Sequence, residues 1–161
     1  MASSSFAIEP VRSPDDLAVT KRLFEAYAAS LGIDLSYQNF VDEMAAMPGK
    51  YAPPHGELLL ARGADAKALG CVGLRPLDDG ACEMKRLYVT PEGRGLGLGR
   101  ALAERVVAEA RRIGYPDMRL DTLPRLTAAI ALYEDMGFKR IPPYYDTPIP
   151  GTLFFALPLR S

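Results

Sequence analysis

Residues 87–104 read LYVTPEGRGLGLGRALAE, with Gly93, Gly95, Gly97 and Gly99 at alternate positions just before an apolar pattern of helical period begins. Glycine weakens regular structure, so such a cluster at one boundary needs a cause. Either the turn is sterically tight, or a ligand approaches bare backbone there. What flanks the run decides how the rest of the chain folds. Upstream, ACEMKRLYV (81–89) reads as a strand. Downstream, Leu98, Ala101, Leu102, Val106 and Ile113 mark one face of a long helix that Gly114 stops, and DMRLDTL (117–123) reads as a further strand. Strand, glycine run, helix, strand is a βαβ crossover.

Working outward, GELLLA (56–61) and ALGCVGLRPL (68–77) precede 81–89 as an antiparallel meander, with Asp78-Asp79-Gly80 turning the last hairpin. That turn sets Cys82 opposite Pro76, Glu83 opposite Arg75 and Cys71 opposite Leu87. Before the meander, FAIEPV (6–11) reads as a strand. Ser13, Pro14, Asp15 and Asp16 then open a helix that Gly32 ends, and SYQNFVDEMAAM (36–47) reads as a shorter one. After residue 123, PRLTAAIALYEDM (124–136) reads as a helix closed by Gly137. FKRI (138–141) is a strand, residues 142–151 a Pro-rich loop, and TLFFALPL (152–159) the last strand. The expectation is one mixed α/β domain over residues 1–161, with about seven strands and helices on both faces of the sheet. In chain order it runs strand, two helices, three strands, helix, strand, helix, two strands. The apolar strand at 152–159, taken as a sheet edge, is compatible with a homodimer.

Composition narrows the function. The 161 residues are 48% hydrophobic and 24% charged, ordinary for a globular protein, and the net charge is −1. A chain so nearly neutral has no overall attraction for nucleic acid or acidic membranes. Arg86, Arg94, Arg100 and Arg105 nevertheless crowd the glycine run, which suits a small anionic ligand. The two cysteines, several residue pairs apart in the expected register, read as free thiols of a reducing compartment. The opening residues lack a charged segment followed by a long apolar one, so no secretory signal is read, and no apolar window is long enough to span a membrane. The expected location is cytoplasmic. One histidine, His55, in a Pro-rich loop, and two separated cysteines make a metal site improbable.

A helix N-terminus exposes unpaired N–H groups and partial positive charge, which suits phosphate. Glycines before it admit a ligand oxygen, and arginines can pair with it in bidentate fashion. The familiar nucleotide signatures fail on spacing. No Gly-Lys-Ser/Thr occurs, and Arg100 or Leu98 stands where a dinucleotide fingerprint needs its third glycine.

Arg94-Gly95-Leu96-Gly97-Leu98-Gly99 does fit [Q/R]-x-x-G-x-[G/A], and the chain here resembles the GNAT superfamily of acetyl-CoA-dependent N-acetyltransferases. KRLYVTPEGRGLGLGRALAE is similar to that family's fourth strand, pyrophosphate loop and third helix, and AAIALYEDMGFKRI to its later helix and strand. PPYYDTPIPGT resembles a bacterial subgroup. The resemblance implies a GNAT fold, acetyl-CoA as cosubstrate without a metal, and transfer to a primary amine of a small-molecule or amino-acid-like acceptor. It implies that backbone groups of Leu87 and Val89 hold the pantetheine arm. The N–H groups from Gly95 through Leu96, Gly97 and Gly99 to Arg100 would hold the pyrophosphate, with Arg94 nearby. Leu126 stands where family members often carry asparagine.

Tyr133 matches the family tyrosine that protonates the departing thiolate; otherwise it is a ring packed on the sheet. Glu83, eleven residues before Arg94, is the general-base candidate, with a plain ion pair to Arg75 as the alternative and an ordered water as the substitute base. Tyr27, Tyr37, Tyr144 and Tyr145 are candidates for the acceptor pocket. Two rival readings remain at this level: a non-catalytic acyl-CoA sensor of the same fold, and a protein that binds another nucleotide.

Overall fold

A computed structural model describes residues 6–35 and 39–160. Among them, seven strands form one mixed sheet: β1 (Phe6–Pro10), β2 (Glu57–Gly63), β3 (Ala68–Pro76), β4 (Cys82–Val89), β5 (Asp117–Thr122), β6 (Lys139–Ile141) and β7 (Leu153–Pro158). Their order is β1-β2-β3-β4-β5-β7-β6. Among the described residues four α-helices accompany them, α1 (Pro14–Leu31), α2 (Phe40–Ala46), α3 (Leu98–Ile113) and α4 (Thr127–Asp135), with short 3-10 turns at Gly49–Tyr51 and Pro91–Gly93. The expected element order is the observed one.

Alternating side chains on the strands build two cores. Leu59, Val72, Leu74 and Met84 pack with Leu102 and Val106 of α3 and with Tyr133 of α4. Leu58, Leu60 and Cys71 pack on the other face with Leu23 and Phe24 of α1 and Met44 of α2. Cys71 and Cys82 therefore sit in different cores, buried and free. The helix boundaries follow local chemistry. Ser13 accepts the Asp16 N–H at 3.0 Å to start α1, and Gly32 ends it in the left-handed region at φ 66°. α4 begins at Thr127, three residues later than the sequence pattern suggests, because Leu123–Leu126 forms a turn closed by the Leu126 N–H at 3.1 Å.

Two departures from expectation shape the site. The β3–β4 hairpin keeps the Arg75–Glu83 and Pro76–Cys82 pairs, but Gly73 pairs with Lys85 while Cys71 pairs with Tyr88 rather than Leu87. Arg86 and Leu87 thus stand against Val72 alone, a β-bulge in which Arg86 takes φ 60°. The second concerns β7. It lies between β5 and β6, pairing Phe155 with both Leu120 and Arg140, so it is not a sheet edge and loses its case as a dimer seam. The outer strand β6 is three residues long with Lys139 and Arg140 exposed, a protected edge.

Candidate active site

β4 and β5 run parallel but pair only at Cys82–Met118 and Glu83–Arg119. Beyond Glu83 the strands separate, and β4 continues to Val89 paired with β3 alone. The resulting groove is flanked by Tyr27 and Leu31 at the end of α1 and by Leu126 and Ala129 at the start of α4. Thr90 donates to the Leu69 carbonyl at 2.9 Å. By the alternation of an antiparallel ladder, Val89 then turns its N–H and C=O away from β3 and into the groove. Leu87 lines the same opening.

The four glycines answer to different causes. A Cβ on Gly93 would meet the Leu69 carbonyl oxygen at 2.8 Å and Val89 at 3.0 Å, so close packing requires glycine there. Gly95 and Gly97 need it for their backbone, at φ 83° and 77°. Gly99 needs it for neither reason: a Cβ there would meet only Leu132, at 4.0 Å. Gly97 caps α3 with no side-chain hydrogen bond, and the first turn of α3 carries no acidic residue. The first N–H groups of α3 therefore take no side-chain cap, and Arg94 is exposed at the groove mouth. The guanidinium of Arg100 is turned to Glu104 and Asp135, away from the groove it was expected to serve with its side chain nearby.

Tyr133 is 6% exposed, packed on Phe138 and Phe155 at ring distances of 5.7 and 6.4 Å, and lines the cavity below the groove. Among the described residues its hydroxyl takes no hydrogen bond. Burial pushes the phenol up, so it stays protonated at neutral pH.

Glu83 is 2% exposed, accepts from Arg75 Nε at 2.9 Å and accepts the Tyr144 hydroxyl. Burial alone would raise its pKa, but Lys85, Arg75 and the two hydrogen bonds outweigh that and hold it below the usual carboxylate range. Arg75 also reaches Glu43 of α2, at 3.2 Å, and Glu43 reaches Arg86 at 3.4 Å. Tyr145 donates to Asp121. The two adjacent tyrosines of the Pro-rich loop thus each hold a carboxylate of the splayed strands, and their rings pack on Phe154 at 5.2 and 5.3 Å. Tyr27 stands edge-on to Tyr88 across the groove, ring centroids 6.0 Å apart. Tyr37 lies outside the described residues. His55 is exposed, its carbonyl accepting the Tyr115 hydroxyl at 2.5 Å, and is absent from the groove lining.

The cavity also contains Lys85 and Asp121, which sequence reasoning passed over. The signal available was the polar alternation Asp117, Arg119, Asp121 along β5. Its meaning depends on the strand separation, which is a tertiary fact.

The model of the acetyltransferase (GNAT) family matches residues 21–138. A Schizosaccharomyces pombe protein described as an uncharacterized N-acetyltransferase is 44% identical over all of this chain and 99% of its own length. A GNAT acetyltransferase structure from Staphylococcus aureus superposes at TM-score 0.77, with 19% identity, over 96% of this chain and 99% of that one. A Salmonella typhimurium structure solved with acetyl-CoA superposes at 0.67, with 22% identity, over 97% and 95%. Family model, near-full-length relative and fold agree: this chain belongs to the GNAT family of acetyltransferases.

Proposed function

We propose that the chain moves an acetyl group from acetyl-CoA directly to a primary amine of a small-molecule or amino-acid-like acceptor. The observation that carries this reading is the unpaired edge of β4 beyond Glu83, with the open N-terminus of α3 at one end and the Tyr133 hydroxyl in the cavity beside it. Leu87 and Val89 offer backbone groups to the pantetheine amides as an added strand would. The N–H groups of Gly95 to Arg100 take the pyrophosphate, with Arg94 beside them. The Val89 N–H polarises the thioester carbonyl.

The acceptor nitrogen attacks as a neutral amine. A C–N bond forms, the C–S bond breaks, the amine gives up one proton, and the Tyr133 hydroxyl supplies one to the departing sulfur before being reprotonated from solvent. The pairing of Glu83 with Arg75 and Tyr144 favours an ordered water as the proton acceptor, with Glu83 holding the wall of the cavity. Incubating the protein with acetyl-CoA and a panel of amines, and following free CoA together with the mass of the acetylated product, tests this reading. Amine-dependent CoA release is expected. Tight acetyl-CoA binding without release on any amine would instead support the sensor reading, which Leu126, leaving α4 without a side-chain cap, keeps in view.

A further inference from the structure

We propose that Glu43 of α2 is a positioning residue for acetyl transfer, acting through Arg86 to hold the bulge that aims the far half of β4 at the groove. This rests on the acetyl-transfer reading above and adds to it a residue absent from the groove lining.

Among the described residues three other than glycine take positive φ: Asn39, Ala66 and Arg86. Asn39 precedes α2 and Ala66 lies in the turn between β2 and β3, whereas Arg86, at φ 60°, lies inside a strand. Left-handed backbone under a long side chain persists only where the surroundings impose it. Here they belong to α2. Phe40 and Glu43, three residues apart and so on one face of that helix, meet the same guanidinium. Its carbon stands 5.1 Å from the Phe40 ring centroid, and Nε donates to Glu43 Oε2 at 3.4 Å. The side chains of Arg86 and Glu43 are 3% and 10% exposed, so removing either leaves a buried charge behind. A glycine would adopt the same φ freely but could not be held from α2. An arginine ties the strand to the helix.

Glu43 is also the junction of a wider network. It accepts from the Tyr51 hydroxyl at 3.1 Å and from Arg75 at 3.2 Å. Arg75 donates in turn to Glu83, which accepts the Tyr144 hydroxyl from the Pro-rich loop. The Tyr51 ring packs so closely on Gly73 that a Cβ there would meet it at 2.6 Å, and Gly73 is the last residue of β3 before the bulge breaks the pairing with β4. Both strands of the bulge are thus braced from the α2 side, β4 through Arg86 and β3 through Tyr51.

Strand geometry gives the bulge its consequence. One inserted residue shifts by one the alternation of everything beyond it. Without it, Tyr88 rather than Val89 would turn its backbone groups to the groove, and the edge assigned to the pantetheine arm and the thioester carbonyl would be out of phase.

The test compares Glu43→Gln with Glu57→Gln, a control that alters a comparably buried carboxylate, paired with Arg12 and remote from the groove lining. Acetyl-CoA affinity is read by calorimetry, stability by Tm, and the strand itself by amide hydrogen exchange in the free protein. Both variants are expected to lose Tm. Only Glu43→Gln should raise Kd for acetyl-CoA, by roughly 5- to 150-fold, the usual range for coupled sites, and speed exchange of the Thr90 N–H that Leu69 accepts. Arg86→Met should raise Kd by a similar factor, and the double variant by no more than either alone. Phe40→Leu, which removes only the ring beside Arg86, should shift Kd in the same direction by less, and serves where Glu43→Gln does not fold. Unchanged Kd in the folded Glu43 and Phe40 variants, an equal change in Glu57→Gln, or additive effects of the Glu43 and Arg86 substitutions would each overturn the proposal. Failure of the unaltered protein to bind acetyl-CoA would overturn the transfer reading instead, while exchange at Thr90 still decides whether Glu43 holds the strand.

Discussion

Gly99→Ala separates a glycine kept for the fold from a glycine kept for a ligand. At this position in the first turn of α3 the backbone is ordinary and an added methyl meets only Leu132 at 4.0 Å. Alanine at a compatible helix position stabilises by about 0.4–1 kcal/mol, mainly by restricting the unfolded chain. In a chain of this length that raises Tm by about 1–4 °C. If the pyrophosphate lies against Gly99, the same methyl intrudes on it. At a ligand concentration a hundred times Kd, acetyl-CoA stabilises the protein by about 2.7 kcal/mol, and a tenfold weaker Kd at that concentration leaves about 1.4 kcal/mol. Thermal unfolding with and without acetyl-CoA should therefore show the free protein gaining while the ligand increment falls to about half. Gly93→Ala, which would drive a methyl to 2.8 Å from the Leu69 carbonyl, should instead lower the free protein's stability by about 1–3 kcal/mol. An unchanged ligand increment in a stabilised Gly99→Ala protein would refute the placement of the phosphate.

Tyr133→Phe should lower kcat about 10²- to 10⁴-fold while leaving acetyl-CoA affinity and Tm near their original values, since the hydroxyl holds no described partner; coincident loss of stability would mark a structural tyrosine instead. Glu83 has its pKa depressed in the folded state, so its stabilisation is present above the ordinary carboxylate range and is lost as pH falls through the folded value. Glu83→Gln should cost about 1–3 kcal/mol at neutral pH, a difference that shrinks on acidification, and should leave the pH–rate profile unchanged above neutrality if water is the base. Urea unfolding across pH and the rate profile check the two halves. Leu126→Asn places a capping side chain before Thr127 and should slow amide hydrogen exchange in the first turn of α4; unchanged exchange would mean that the turn at Leu123–Leu126 already fixes the helix start.

The hairpin register was legible because Asp78-Asp79-Gly80 is a strong local turn signal, and the Arg75–Glu83 pair followed from it. The bulge was not. Nothing in KRLYV marks an arginine for positive φ, and a slip of one residue moved the partner of Cys71. The glycine run marked the junction between β4 and α3, but only coordinates divide Gly93, fixed by Leu69, from Gly99, which no neighbour constrains. Tyr144 and Tyr145 read as acceptor contacts in the sequence. In the structure each holds a carboxylate from β4 or β5, a pairing across 61 and 24 residues that no local pattern encodes. Lys85 and Asp121 gain their meaning only once β4 and β5 part company after the second pair. β7 looked like an edge because the return of β6 to its outer side is likewise non-local.

The central claim is that the groove between β4 and β5, with the N-terminus of α3, binds acetyl-CoA. Calorimetric titration of the protein with acetyl-CoA, repeated in the presence of ATP or NADH, tests it most directly. Saturable one-to-one binding that neither nucleotide displaces, and that Gly99→Ala weakens, is the predicted result. Absence of binding, or displacement by ATP or NADH at matched concentration, would contradict it.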